Sequence, residues 1–313
     1  MFARAMLSMI GPCHRGTRAA GLLPALLLAG LSALPGALAA QVCPDGRPYT
    51  VTVGDPDGTQ EVTLDGGSKY LGRVVDAGDP LRFQLLSGDV LEIAPGRVLC
   101  LRAVAGTRHE GEFWPEDPNT TRLFFGPTGR SLGRGEGYFS VVEILMPFLS
   151  IGATDRLTLS GGAPLFFGSE GLELFWLAPK LQVARTEAFA GSVGVLAFFA
   201  PGAGGSVGVL YGVGTFGSTS DRAVTVGAGW GYDSEGGIHD APALMVGFES
   251  RMGRSTKFIS ENYIFPGEGA GILSAGPRFF GEKLTADLGL AMPLVRGADG
   301  FFIFPVVNFA WNW

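Results

Sequence analysis

The chain has 313 residues, 46% of them hydrophobic, with a formal net charge of −6 and a pI near 5.2. That apolar content excludes an intrinsically disordered chain, and an acidic balance without a basic cluster after residue 40 removes the electrostatic footprint that nucleic-acid binding requires. Glycine supplies 50 residues without a Gly-X-Y period, which excludes collagen and favours a glycine-tolerant β architecture.

Residues 1–40 read as a secretory signal. Arg4, His14, Arg15 and Arg18 precede an apolar run from Ala19 to Leu31, and Ala37-Leu38-Ala39 supplies the small-x-small cleavage pattern. Gln41 and Val42 stand where a lipoprotein would carry small residues before Cys43. Removing the signal removes Cys13 and leaves Cys43 and Cys100 as an even pair in an oxidising compartment, where a disulfide between them is expected. Two cysteines with the scattered His109 and His239 offer no metal-ligand spacing. No metal and no other cofactor is expected.

Residues 41–106 read as a small β-module. Short runs such as Glu61-Val62-Thr63-Leu64, Lys69 to Val75, Leu81 to Leu86 and Val90 to Ile93 alternate with turn signals at Asp65-Gly66-Gly67 and Ser87-Gly88-Asp89. The pattern Leu64-x-x-Gly67-x-x-x-x-Gly72-x-Val74, followed by two further short strands, resembles small SH3-like or Sm-like barrels. The partner of such a module, placed in the periplasm, is unknown. Residues 107–118, polar and ending in two prolines, read as a linker.

From residue 119 to 313 no window carries eighteen apolar residues in a row, so helical spans are not predicted. What remains is a train of period-two segments. They predict twelve strands: Thr121–Thr128, Gly137–Ile151, Arg156–Leu165, Leu174–Arg185, Ala188–Ala200, Ser206–Phe216, Arg222–Tyr232, Ala243–Arg251, Lys257–Phe265, Gly271–Phe280, Lys283–Met292 and Phe301–Trp313. Val224, Val226, Ala228, Trp230 and Tyr232 make an oily face opposite Thr225 and three glycines; Leu284, Ala286, Leu288, Leu290 and Met292 oppose Thr285 and Asp287; Val207, Val209, Tyr211 and Val213 oppose Gly208, Gly212 and Gly214. A soluble strand alternates too. Here, however, the second face is poor in Lys and Glu, and aromatics such as Tyr138, Phe166, Phe167, Phe198, Phe199, Phe279, Phe280, Phe301 and Phe302 gather near segment ends. The turns look short, and no long loop is available as a plug.

The last segment places Phe301, Ile303, Pro305, Val307, Phe309, Trp311 and Trp313 on one face against Asn308, Ala310 and Asn312. This is similar to the terminal strand of bacterial outer-membrane β-barrel proteins. The resemblance implies an all-β chain, an antiparallel transmembrane β-barrel of about twelve strands behind the SH3-like module, with outer-membrane lipid around it. It also implies that Phe309, Trp311 and Trp313 form the signal read by the barrel-assembly machinery.

Lys180, Arg185, Glu249, Arg251, Arg278 and Asp287 are expected to face the lumen, as structural bridges or along a polar path. No nucleophile with a partnered base can be assembled: His239 lies in an acidic loop, and Gly126-Pro127-Thr128-Gly129-Arg130-Ser131 lacks the spacing of a phosphate loop and reads as a turn. The expectation is a non-enzymatic barrel with a narrow-channel or envelope-structural role. A barrel enzyme acting on lipid or peptide and a soluble secreted β-protein are the alternatives.

Overall fold

The computed structural model describes residues 41–44, 46, 48–56, 58–109, 112–165, 174–200, 205–296 and 302–313; the signal segment and Phe166, Phe167 and Phe301 of the aromatic set lie outside them. The chain divides into two units, Met1–Trp114 and Pro115–Trp313.

In the first unit, five strands form one antiparallel sheet: β1 (Gln60–Leu64), β2 (Lys69–Asp76), β3 (Leu81–Leu85), β4 (Val90–Ile93) and β5 (Val98–Ala103), in the order β4-β3-β2-β1-β5. Alternation places Val62, Val74, Phe83, Ile93 and Leu101 in one core. Gly72 permits the tight crossing of β2 over β3, because a Cβ there would sit 2.8 Å from the ring of Phe83. Cys43 and Cys100 are joined by a disulfide that ties the first described residues to β5 across 57 positions of sequence. A Cys100→Ser variant should lose about 2–4 kcal/mol of module stability. Urea unfolding of the oxidised protein checks this, and an unchanged midpoint would mean that the bridge constrains little. Two short paired strands, Gly106–His109 and Glu112–Pro115, overlap the stretch 107–118 that reads from sequence as a linker.

In the second unit, twelve strands close into an antiparallel barrel: β6 (Gly137–Val142), β7 (Met146–Gly152), β8 (Leu157–Gly162), β9 (Phe175–Arg185), β10 (Phe189–Phe199), β11 (Ser206–Gly217), β12 (Arg222–Asp233), β13 (Ala243–Gly253), β14 (Thr256–Phe265), β15 (Ala270–Phe280), β16 (Leu284–Val295) and β17 (Phe304–Asn312). Every neighbour in sequence is a neighbour in the sheet, and β6 pairs with β17 to shut the ring, Phe139 opposite Trp311 and Val141 opposite Phe309. Closure removes both sheet edges, which a bilayer demands.

The faces are inverted relative to a soluble barrel. Leu177, Leu181, Val193, Val224, Val226, Trp230, Leu284, Leu288, Phe309 and Trp311 are exposed on the outside, while Ser140, Ser150, Thr158, Thr215, Thr225, Glu249, Arg278, Thr285, Asp287 and Asn308 are buried inside. Apolar side chains outward and polar ones inward make this a transmembrane β-barrel. Strands β9 to β16 have ten to twelve residues each, enough to cross a bilayer at a tilt. Strands β6, β7 and β8 have only six, seven and six.

Turns on the rim where the barrel chain starts and ends have two to four residues, whereas on the opposite rim the connection at 234–242 has nine. We call these the terminal and distal rims.

Five sequence expectations about the barrel change. Thr121–Thr128 is not a barrel strand, and Gly137–Ile151 is not one strand but the hairpin of β6 and β7; the two errors cancel, so the count of twelve stands. The β11 face carrying Val207, Val209, Tyr211 and Val213 points inward, because Tyr211 pairs with Gly194 and Val213 with the buried Ser192, while Leu210 and Phe216 are exposed outside. Tyr138 and Phe280 are buried and Phe198 packs beside Trp176 in the interior, so these three belong to no girdle. Finally, the lumen does hold a plug, built from the chain ahead of β6.

Candidate functional site

Residues 115–136 form a re-entrant segment inside the barrel. It enters at the terminal rim, where Arg251 Nη2 donates to the Pro115 carbonyl at 2.8 Å and Thr219 donates to Glu116 at 2.9 Å. It turns at Leu123-Phe124-Phe125-Gly126, with Leu123 N donating to Gly126 O (2.9 Å) and Thr128 N to Thr121 O (3.0 Å). It leaves at the same rim, where Arg134 N donates to Asp155 in a terminal-rim turn and Gly137 pairs with Trp313. Asn119, Thr121, Arg122, Leu123, Phe124, Thr128 and Leu132 are all buried.

The local sequence explains why this stretch is not a strand of the wall. Pro127 removes a ladder donor, and Gly126 sits where a Cβ would lie 2.6 Å from Met245 Sδ and 3.3 Å from the Glu261 carboxyl. Buried main chain must find partners, and here the wall's side chains supply them. Lys180 Nζ donates to the carbonyls of Thr121 (2.9 Å), Thr128 (3.1 Å) and Arg130 (2.6 Å). Glu261 accepts from the amides of Phe125 and Gly126, both at 3.0 Å, and from Tyr263 Oη at 2.7 Å. Gly129 O accepts from Gln182 and Ser192, and Gly129 N donates to Thr215.

A charge network runs through the same contacts. Arg278, fully buried, donates Nε to Asp287 (2.6 Å), Nη1 to Asp117 (3.2 Å) and to the carbonyls of Asn119 (2.7 Å) and Arg122 (3.2 Å), and Nη2 to the Leu123 carbonyl. Asp287 also accepts from Arg122 Nη1 at 2.7 Å. Lys257 reaches Asp117 at 3.1 Å and Glu249 at 3.6 Å, and Glu249 takes Arg130 Nη1 at 2.7 Å. Each of these buried wall charges therefore meets an opposite charge or a main-chain group of the segment, as buried charges require.

Of the residues expected in the lumen, Lys180, Glu249, Arg278 and Asp287 are buried there and engage the segment. Arg251 lies at the terminal rim over the ring of Phe280, 4.7 Å from its centroid. Arg185 is exposed at the same rim. On β17, Phe309 and Trp311 face outward, and Trp313 packs at a tilt against Trp311 with centroids 5.7 Å apart. His239 is exposed and lies 3.6 Å from Asp233 at the distal rim.

Sequence reasoning missed Asp117, Arg122, Lys257 and Glu261, and read Arg130 as a turn residue. For Lys257 and Glu261 a signal existed, since both share the parity of Ile259 and Tyr263 on β14, opposite the outward Ile264. For Asp117 and Arg122 no periodicity could have helped.

Comparison with known proteins adds the following. No protein-family model and no curated protein matches the chain. Among solved structures, it is similar to the KdgM porin in complex with disordered oligogalacturonate (9% identity, TM-score 0.42, covering 57% of this chain and 98% of that one). It is similar also to the NanC porin (9%, TM-score 0.38, 56% and 97%) and to outer-membrane expressed OmpT of Vibrio cholerae (11%, TM-score 0.35, 82% and 95%).

Proposed function

We propose that the protein is a non-enzymatic barrel of the bacterial outer membrane, closed at rest by its own luminal segment, with an envelope-structural role: it holds the small N-terminal module at the membrane. The observation that carries this reading is the burial of Asn119, Thr121 to Phe124, Thr128 and Leu132 under the Lys180, Glu261 and Arg278 contacts, with Phe125 exposed at the turn. A conducting porin needs a polar path through its lumen, and the segment occupies that path.

The short turns lie on the rim shared by both ends of the barrel chain, the pattern of a periplasmic side, with longer connections facing outward. The module would then be periplasmic. The partners of this reading are outer-membrane lipid against the apolar wall, the barrel-assembly machinery at Phe309, Trp311 and Trp313, and a periplasmic ligand of the module.

Fractionation should recover the protein with the outer membrane, with heat-modifiable gel mobility. In planar bilayers the refolded full chain should give no steady conductance. Stable ohmic steps from the full chain would overturn the closed reading in favour of an open channel, and recovery as a soluble, non-modifiable protein would overturn the membrane reading itself.

A further inference from the structure

Strand β9 breaks its pairing with β10 at one point. Gln182 faces Ser192, but Ala184 faces Gly191 and Arg185 faces Ala190, so one extra residue is inserted between them. Without that bulge, Arg185 would differ in parity from the luminal Lys180 and Gln182 and would point to the lipid side. With it, Arg185 is turned onto the face of the buried Ala190. The re-aimed guanidinium lines a polar cavity of about 210 Å³ at the terminal rim, together with Arg130.

Neither guanidinium is saturated. The Arg185 side chain has no hydrogen-bond or ion-pair partner among the described residues. Arg130 spends Nη1 on Glu249, but its Nη2 is buried without an acceptor. An unpaired buried donor is costly, and a planar guanidinium is the group best matched to a phosphate or carboxylate. Two acids share the lining: Glu116, which already accepts from Thr219, and Glu187. They oppose a second negative charge nearby.

We propose that this cavity binds one small oxyanion, a phosphate or carboxylate group bearing a single charged head, between Arg185 and Arg130. Glu116 and Glu187 select against polyanions. The site stands apart from the closed-barrel reading, since it needs only the cavity and the two arginines.

The test is thermal melting of the refolded full chain in uncharged detergent, titrated with inorganic phosphate at constant ionic strength, and in a second arm with phosphatidylglycerol added to the micelles. A saturable rise in melting temperature is expected. Arg185→Gln should weaken it about 10- to 100-fold, the loss of one charge-assisted contact; Arg185→Lys should fall between, and Glu187→Gln should tighten it. Arg185 is exposed, so the Gln variant should keep its heat-modifiable mobility. A response confined to the lipid arm assigns the same site to a headgroup. No saturable response in either arm, or an equal response in Arg185→Gln, overturns the proposal.

Discussion

Arg278→Leu is expected to lower the stability of the folded barrel by about 3–5 kcal/mol, the cost of breaking a buried charge network from one side. Leucine approximates the volume of the stem but leaves Asp287 and Asp117 short of a partner in a dry interior, and it releases the carbonyls of Asn119, Arg122 and Leu123 at once. Arg122 and Lys257 would still reach the two carboxylates, so the loss is not total. Urea titration read by heat-modifiable mobility gives the size of the effect. Arg278→Lys should recover only part of it, because an ammonium cannot span both acids and the carbonyls together. A leucine variant as stable as the parent would mean that the network is not what holds the segment.

Excising residues 119–132 and bridging the gap with a short Gly/Ser linker should convert a silent barrel into a conducting one. Twelve strands lie between the size that side chains fill unaided and the size that leaves an aqueous channel. The wall left behind carries Lys180, Lys257, Glu261, Arg278 and Asp287, which would hydrate rather than collapse. Planar-bilayer recording of the excised and parent proteins makes the comparison, with heat-modifiable mobility as the check on folding. An excised barrel that folds and stays silent would show that something other than the segment closes the lumen. Should excision prevent folding, Lys180→Met gives a milder route: it frees the carbonyls of Thr121, Thr128 and Arg130 and should produce brief openings.

What the sequence revealed follows from what alternation can encode. On β12, β16 and β17 a run of large apolar residues stood against small or polar ones, and the large residues face outward as read. On β11 the same rule failed, because glycines at 208, 212 and 214 occupy the outer face and the bulky Tyr211 and Val213 fill the interior. Side-chain size marks the lipid face only where the lumen has little to fill it. The luminal segment was invisible for a different reason: Thr121 to Thr128 has strand-forming residues around a Gly-Pro pair, and its partners on the wall are side chains 52 to 184 positions away. No local pattern records such contacts. Arg185 was placed in the lumen although strict alternation from Lys180 points it outward; the bulge that brings it inward carries no sequence mark.

The uneven wall has a consequence for the surrounding membrane. Strands β6, β7 and β8 rise about half as far as β9 to β16, and the turn above the first two exposes Ile144 and Leu145. A barrel of unequal height meets a bilayer of uniform thickness on one side and falls short of it on the other. Lipids beside the low arc must compress or tilt, so the protein carries a built-in local thinning of the membrane at the very seam where its first and last strands join.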